Sequence, residues 1–376
     1  MKVLFLTSSY PVPEFPQLGI FVREHARAAS RHADVAVAHI ERSEAVRRIH
    51  VEDGNDADFP SVRVRYPASP AYVSYASNVI AAVLAYRRIR RSGFEPDVIH
   101  AHFFLAGAPA ILLGRLFRKP VVVTEQWSAF LPEDPMTLGP AMQRVARFTF
   151  EHADVVMPVS EALRDGIRAI GTETEFRVVP NVVDTNRFHP DGAVHPSGRL
   201  IGVGNLYEAK GWENVLEAIG LLRARGRAVQ LDVFGDGVLR EKLEAQVSHL
   251  RIGDVVTFHG WRAKDEVAES LRQSDLFVIA SRYDSNPCAV IEALASGVPV
   301  VGTAVGGIPE MITDDLGLLA AAGDPESIAD AIEAALDRAP WDRAGIARSA
   351  KDRYGLERVG DDLAAIYEAT VARRRR

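Results

Sequence analysis

Short runs rich in valine, isoleucine and leucine alternate with longer amphipathic stretches along almost the whole chain. The alternation predicts parallel sheets covered by helices, because strands buried on both faces read as continuous apolar runs. In the first half these runs fall at 2–8, 34–40, 62–67, 97–102, 120–125 and 154–160; in the second half they fall at 199–206, 229–235, 255–260, 275–281 and 299–305. Between them, a stretch such as GWENVLEAIGLLRARG sets Val215, Ile219 and Leu222 on one helical face and stops at Gly226. The halves share one build, so the predicted class is α/β with two Rossmann-like domains, 1–180 and 199–355. The stretch 180–198, PNVVDTNRFHPDGAVHPSG, has three prolines and no periodicity, and 181–198 reads as the linker. A final segment, 356–376, carries Leu356, Val359, Leu363, Ile366 and Tyr367 at helical spacing.

Length agrees with this division, since 376 residues exceed one ordinary core and suit two domains of about 180 residues each. An apolar content of 47% with 25% charged residues is that of a globular chain. A net charge of −6 argues against binding nucleic acid, which needs a basic face. The four arginines at 373–376 read as a solvated tail, with weak contact to an anionic membrane surface as the alternative. MKVLFLTSSY is too briefly apolar for a signal peptide and reads as a first strand. No run approaches the ~18 apolar residues of a membrane span, and VIAAVLAY ends in RRIRR. Cys288 is the only cysteine, which excludes an internal disulfide, and a cytoplasmic protein is expected.

The chemistry concentrates in RYDSNPCAVIEALASGVPVVGTAVGGIPE, which begins at Arg282. Ser285 or Asn286 is expected to cap a helix there, with Pro287 in its first turn and Gly297 just past its end. The first amides of such a helix and its dipole favour an anion. Asp284 in the loop and Glu292 on the helix stand eight residues apart and offer two hydroxyl-seeking carboxylates beside it. A phosphate-friendly helix start with two such acids points to a sugar nucleotide. No metal motif is present.

This stretch, with EALASGVPVV and GGIPE following the spaced acids, resembles the retaining glycosyltransferases of family 4, which have the GT-B fold of two facing Rossmann-like domains sharing a cleft. GVGNLYEAKG at 202–211, FGDG at 234–237, PQLGIFVREHA, DVIHAH, VVVTEQW and PNVVD extend the likeness over nearly the full length. The resemblance implies a metal-independent hexosyltransferase that moves a sugar, with retention, from a UDP- or GDP-sugar to a hydroxyl of a small-molecule, glycan or lipid-linked acceptor. No cofactor is implied beyond the donor.

Residue by residue, the resemblance implies that Lys210 neutralises the donor diphosphate, helped by the Gly19 loop and the 286–289 segment of Asn286, Pro287, Cys288 and Ala289. Pro287 has no amide to give, and Cys288 offers only its own. Glu292 would hold the ribose hydroxyls, Asp284 a sugar hydroxyl, and Trp261 or Arg262 would border the base. His102 and Gln126 are expected beside the reacting sugar, and Glu125 and Trp127 at the acceptor. Three positions depart from the family pattern: Asp284 where glutamate is usual, Asn205 where many members carry a second phosphate-binding arginine, and Gln126 where histidine is common. An amide can hydrogen-bond a hydroxyl but cannot transfer its proton. The last helix, 356–376, is expected to cross back to the first domain. A sugar-nucleotide epimerase or hydrolase on the same fold, or a non-catalytic sugar-nucleotide-binding subunit, are the rival readings.

Overall fold

The computed structural model describes residues 1–68, 71–191 and 198–375. It forms two compact units, Met1–Phe130 with Met136–Val182 and Leu356–Arg376, and Leu131–Pro135 with Val183–Gly355. The short segment Leu131–Pro135, expected in the first domain, goes with the second unit because Leu131 is buried beside Gly306. Residues 192–197 of the expected linker lie outside the described residues.

In the first unit the strands are β1 (Lys2–Thr7), β2 (Asp34–Ser43), β3 (His50–Asp53), β4 (Ser61–Pro67), β5 (Val98–His102), β6 (Val121–Glu125) and β7 (Val155–Pro158). They pair in the order β3-β4-β2-β1-β5-β6-β7, all parallel except the edge strand β3. Helices α1 (Ile20–Ala29), α2 (Ala71–Arg91), α3 (Phe104–Phe117), α4 (Pro140–His152) and α5 (Glu161–Ala169) connect them. The second unit has β8 (Arg199–Val203), β9 (Gln230–Phe234), β10 (Val256–Gly260), β11 (Leu276–Ile279), β12 (Val300–Thr303) and β13 (Gly317–Ala320), ordered β10-β9-β8-β11-β12-β13 and all parallel. Its helices are α6 (Trp212–Ala224), α7 (Arg240–Leu250), α8 (Lys264–Arg272), α9 (Cys288–Ala295), α10 (Ile308–Met311), α11 (Pro325–Asp337) and α12 (Arg343–Tyr354). Every predicted apolar run became a strand. The two strands that were not predicted, β3 and β13, are four residues each, polar HVED and half-exposed GLLA.

The last helix, α13 (Leu356–Arg375), packs on α1: Leu356, Val359, Leu363 and Tyr367 enter the same core as Val22 and Ala26. The Tyr367 hydroxyl meets Nδ1 of the buried His100 at 2.7 Å. Of the terminal arginines, Arg373 pairs with Glu175 and Arg374 with Asp154 at 3.0 Å, so these two are not simply solvated, and Arg376 lies outside the described residues. No helix among the described residues is long and apolar enough to cross a membrane.

In both sheets the connections reverse direction about one strand pair, β1 and β5 in the first and β8 and β11 in the second. Such a switch point opens a crevice at the carboxyl ends of its strands, where ligands of this architecture bind.

Candidate active site

At the β8/β11 switch point, two connections are tied together by their backbones. Trp212 anchors the first, its indole donating to the Asn205 carbonyl at 3.0 Å. Gly211 then turns the chain with φ +60° and sits so close to the Ala280 carbonyl that no Cβ fits. The Arg282 amide donates to the Ala209 carbonyl at 2.8 Å, and the Thr303 hydroxyl to the Ser281 carbonyl at 2.6 Å. Lys210 Nζ is thereby brought onto Asp284 Oδ2, while the Ser281 hydroxyl lies 3.4 Å from the same oxygen. The pair keeps some water access, with side chains 27% and 14% exposed. On the far side of Asp284, Gly306 leaves no room for a Cβ against the Asp284 carbonyl, which accepts from the Gly307 amide at 3.0 Å. The GGIPE glycines therefore fix the backbone of this loop.

The helix that follows differs from expectation at its start. Pro287, with φ −65° and ψ 117°, is itself the cap position of α9, and its carbonyl accepts from Val290 and Ile291. Ser285 and Asn286 lie before the cap, so neither serves as one. The Ser285 hydroxyl is buried without a hydrogen-bond partner. Gly297 ends the helix in the left-handed conformation, φ +73°, as its position predicted.

Glu292, one turn into α9, is nearly enclosed and pairs with Lys264, the first residue of α8, whose Nζ lies 5.6 Å above the Phe188 ring. Sequence reasoning set Arg262 or Trp261 of this stretch beside the site and missed Lys264. Arg262 is instead exposed, 3.9 Å from Glu266, and Trp261 is also exposed. Asn205 is exposed beside the Lys210 turn.

In the first unit, Gly19 takes φ +63° at the start of α1, against the Ser9 carbonyl. The residues expected at the reacting sugar and the acceptor are placed otherwise. His102 is fully buried, its two ring nitrogens unpartnered, stacked on His100 at 4.5 Å and on Phe5 at 5.4 Å. Burial, with His100 and His25 beside it, holds its pKa well below the usual value, so it is a neutral core group. The next residue, Phe103, has φ +67° and ψ 145°, a strained conformation for a residue with a Cβ.

Glu125 is also fully buried: Oε2 accepts from the Phe104 amide at 2.8 Å, and Oε1 from Gln126 and Trp127 at 3.0 and 2.9 Å. It braces the start of α3. Burial pushes its pKa up to about 7, against the pull of those three amides. Trp127 stacks on Phe104 at 5.9 Å and 8°, so that ring face is already used. Gln126 donates to Asn181 Oδ1 at 3.1 Å and lies 3.3 Å from Nδ1 of the buried His25. Among the described residues, no cluster of histidine, cysteine and carboxylate side chains could hold a metal.

Residues 188–353 match the family model of glycosyl transferases group 1, and residues 18–182 that of the glycosyl transferase 4-like domain. The chain is 26% identical over 397 aligned positions to the glycogen synthase of Mycobacterium tuberculosis, covering 98% of this chain and 95% of that protein. Among solved structures it is similar to the sucrose-phosphate synthase of Thermosynechococcus elongatus, at 19% identity with a TM-score of 0.78, covering 99% and 100% of the two chains. It is also similar to HepE of Anabaena in complex with UDP-glucose, at 18% and 0.75, covering 98% and 100%. Two Rossmann-like units with these likenesses define a glycosyltransferase of the GT-B fold class. The chain belongs to the group 1 glycosyltransferases.

Proposed function

We propose that the second unit binds a nucleoside-diphosphate sugar and that the enzyme transfers the sugar, with retention and without a metal, to an acceptor hydroxyl. The observation that carries this is the meeting of Lys210 and Asp284 at the β8/β11 switch point, beside the start of α9. A diphosphate can take the place of Asp284 on Lys210, so that the ammonium keeps an anionic partner and Asp284 turns to a sugar hydroxyl. As the glycosidic bond breaks, charge grows on the leaving diphosphate, where Lys210 and the first amides of α9 would stabilise it. Glu292, released from Lys264, would accept from the ribose hydroxyls. The orphaned Ser285 hydroxyl is a further polar group wanting a partner in that loop.

HepE is described in complex with UDP-glucose, which supports trying a UDP-sugar first. In this reading His102, Glu125 and Trp127 take no part in contacts with the reactants and instead hold the first unit's strand ends. Gln126, committed to Asn181, is kept as a residue that positions groups around it. The test is to incubate the enzyme with α-configured UDP-glucose, and with the corresponding GDP-sugar, and to follow the anomeric protons by NMR. The expected result is slow release of the α-anomer; initial release of the β-anomer would overturn retention, and no turnover of any nucleotide sugar would overturn the donor assignment.

A further inference from the structure

The first unit holds a cavity of about 220 Å³ beside the carboxyl end of β1, walled by the β1–α1 connection, by β2 and β4, and by the end of β3 and the residues that follow it. His39 and Arg63, register partners on β2 and β4, both line it. His39 is 4% exposed and its Nε2 has no hydrogen-bond partner. The Glu41 carboxylate stands 3.6 Å from that nitrogen, beyond hydrogen-bonding reach. Burial and the nearby Arg63 charge lower the ring's pKa to about 4, and the ring's one hydrogen bond is to the Ser8 backbone. A neutral ring that donates to a carbonyl through its other nitrogen presents Nε2 as a bare acceptor.

The rest of the lining also accepts. Asp56 takes the Tyr10 hydroxyl at 2.8 Å and has Arg23 at 3.3 Å, and of the other carboxylates in the lining Glu52 accepts from Arg65 at 3.0 Å, Asp53 accepts from Arg88 at 2.7 Å, and Glu14 lies 3.6 Å from Arg63. Against them the lining has one cation, Arg63, and this is already held by Glu41 at 2.7 Å, with Glu14 at 3.6 Å and Glu52 at 3.9 Å. With its carboxylates and its arginine already paired, such a cavity suits a neutral molecule that brings donors, while Val12, Val37 and Val62 offer apolar surface to a carbon framework.

We propose that this cavity binds a neutral, hydroxyl-rich ring of the sugar or cyclitol class, with one hydroxyl donating to His39 Nε2 and others to Glu52 and Asp56. The inference rests on the transferase reading, in which the bound ring is the acceptor or its terminal unit. Because Tyr10 belongs to the connection that ends at Gly19, an occupant would brace that loop.

The full-length protein should be examined by saturation-transfer NMR with glucose, galactose, mannose, myo-inositol and glucosamine as probes, alongside His39→Leu and Glu52→Gln. At least one uncharged probe should bind, and each substitution should weaken it by about threefold to tenfold, the worth of one hydrogen bond. Glu52→Gln carries the test if His39→Leu does not fold. Binding of none of the uncharged probes, binding of glucosamine alone, or binding unchanged in the folded variants would each overturn the proposal. Stabilisation by nucleotide sugar is read on the same samples: its presence without ring binding leaves the transferase reading intact, whereas its absence strikes that reading independently.

Discussion

At the first unit's switch point, His100, His102 and Glu125 are completely enclosed; His100 and Glu125 are held by core groups or backbone amides, and His102 has ring contacts alone. At the second unit's, Lys210 and Asp284 keep 27% and 14% of their side-chain surface exposed, and each is held mainly by the other. The same topology therefore yields two kinds of polar cluster. An enclosed group saturated by backbone has nothing to exchange with a ligand, and disturbing it leaves a buried donor unpaired. A part-exposed ion pair can trade one partner for a ligand of the same charge at little added desolvation, since such a pair contributes only modestly to stability. Position at a strand end is thus not enough to mark a functional side chain; the identity of its partner decides.

Four substitutions test this contrast. Lys210→Ala should have the largest effect, lowering kcat by about 10²- to 10³-fold, as when a donor to a developing anion is lost, while leaving the melting temperature and the affinity for the sugar-free nucleoside nearly unchanged. Steady-state turnover checks it, and a loss within about threefold would pass the charge to another residue such as Arg282. Next, Glu292→Ala should weaken nucleotide binding by about 1.5–3 kcal/mol for each charged hydrogen bond lost, measured by titration calorimetry. Unchanged affinity in a folded variant would remove Glu292 from the ribose.

Glu125→Gln should act in the opposite manner, costing about 1–3 kcal/mol of stability at pH 5 because the new amide group points hydrogens at the Phe104 amide, with nucleotide affinity unchanged. The sign with pH is fixed by its raised pKa. The wild-type contribution is fully present below the ordinary carboxylate pKa of 4.5 and is lost as pH rises through about 7. Denaturant titrations from pH 5 to 8 should therefore show the gap between wild type and variant narrowing as pH rises; a widening gap would contradict this assignment. Smallest is Asn205→Arg, which adds an exposed cation beside Lys210 and should tighten donor binding by about 1 kcal/mol or less, more at low salt than at high.

Most of the fold was legible because strands buried on both faces are written as unbroken apolar runs. β3 and β13 escaped because one is a polar edge strand and the other half-exposed, each only four residues long. At the site, spacing located Asp284 in a loop and Glu292 on a helix, but their partners were not readable. Lys210 is 74 residues from Asp284, and Lys264 is 28 from Glu292; each pair meets only through the sheet order. Lys264 carries no local signal beyond its place at a helix start. The enclosure of His102 and Glu125 was not readable because a strand-end position does not tell which way a side chain points or what closes over it. The stacking of Trp127 on Phe104, which lies one helix and one strand earlier in the chain, has no local signal. The cap at Pro287 escaped because Ser285 and Asn286 are the stronger capping types, yet tethers at Arg282 and Gly307 fix the loop and leave the cap to the residue behind them.

The most direct test of the donor site is a thermal-stability titration of wild type, Lys210→Ala and Glu292→Ala against UDP-, GDP-, ADP- and TDP-sugars. At about 100 times its dissociation constant, the right donor should stabilise the wild type by roughly 2.7 kcal/mol, and the effect should fall markedly in Glu292→Ala and less in Lys210→Ala. Absence of stabilisation by every nucleotide sugar, or equal stabilisation of all three proteins, would contradict a nucleoside-diphosphate-sugar site built on Lys210, Asp284 and Glu292.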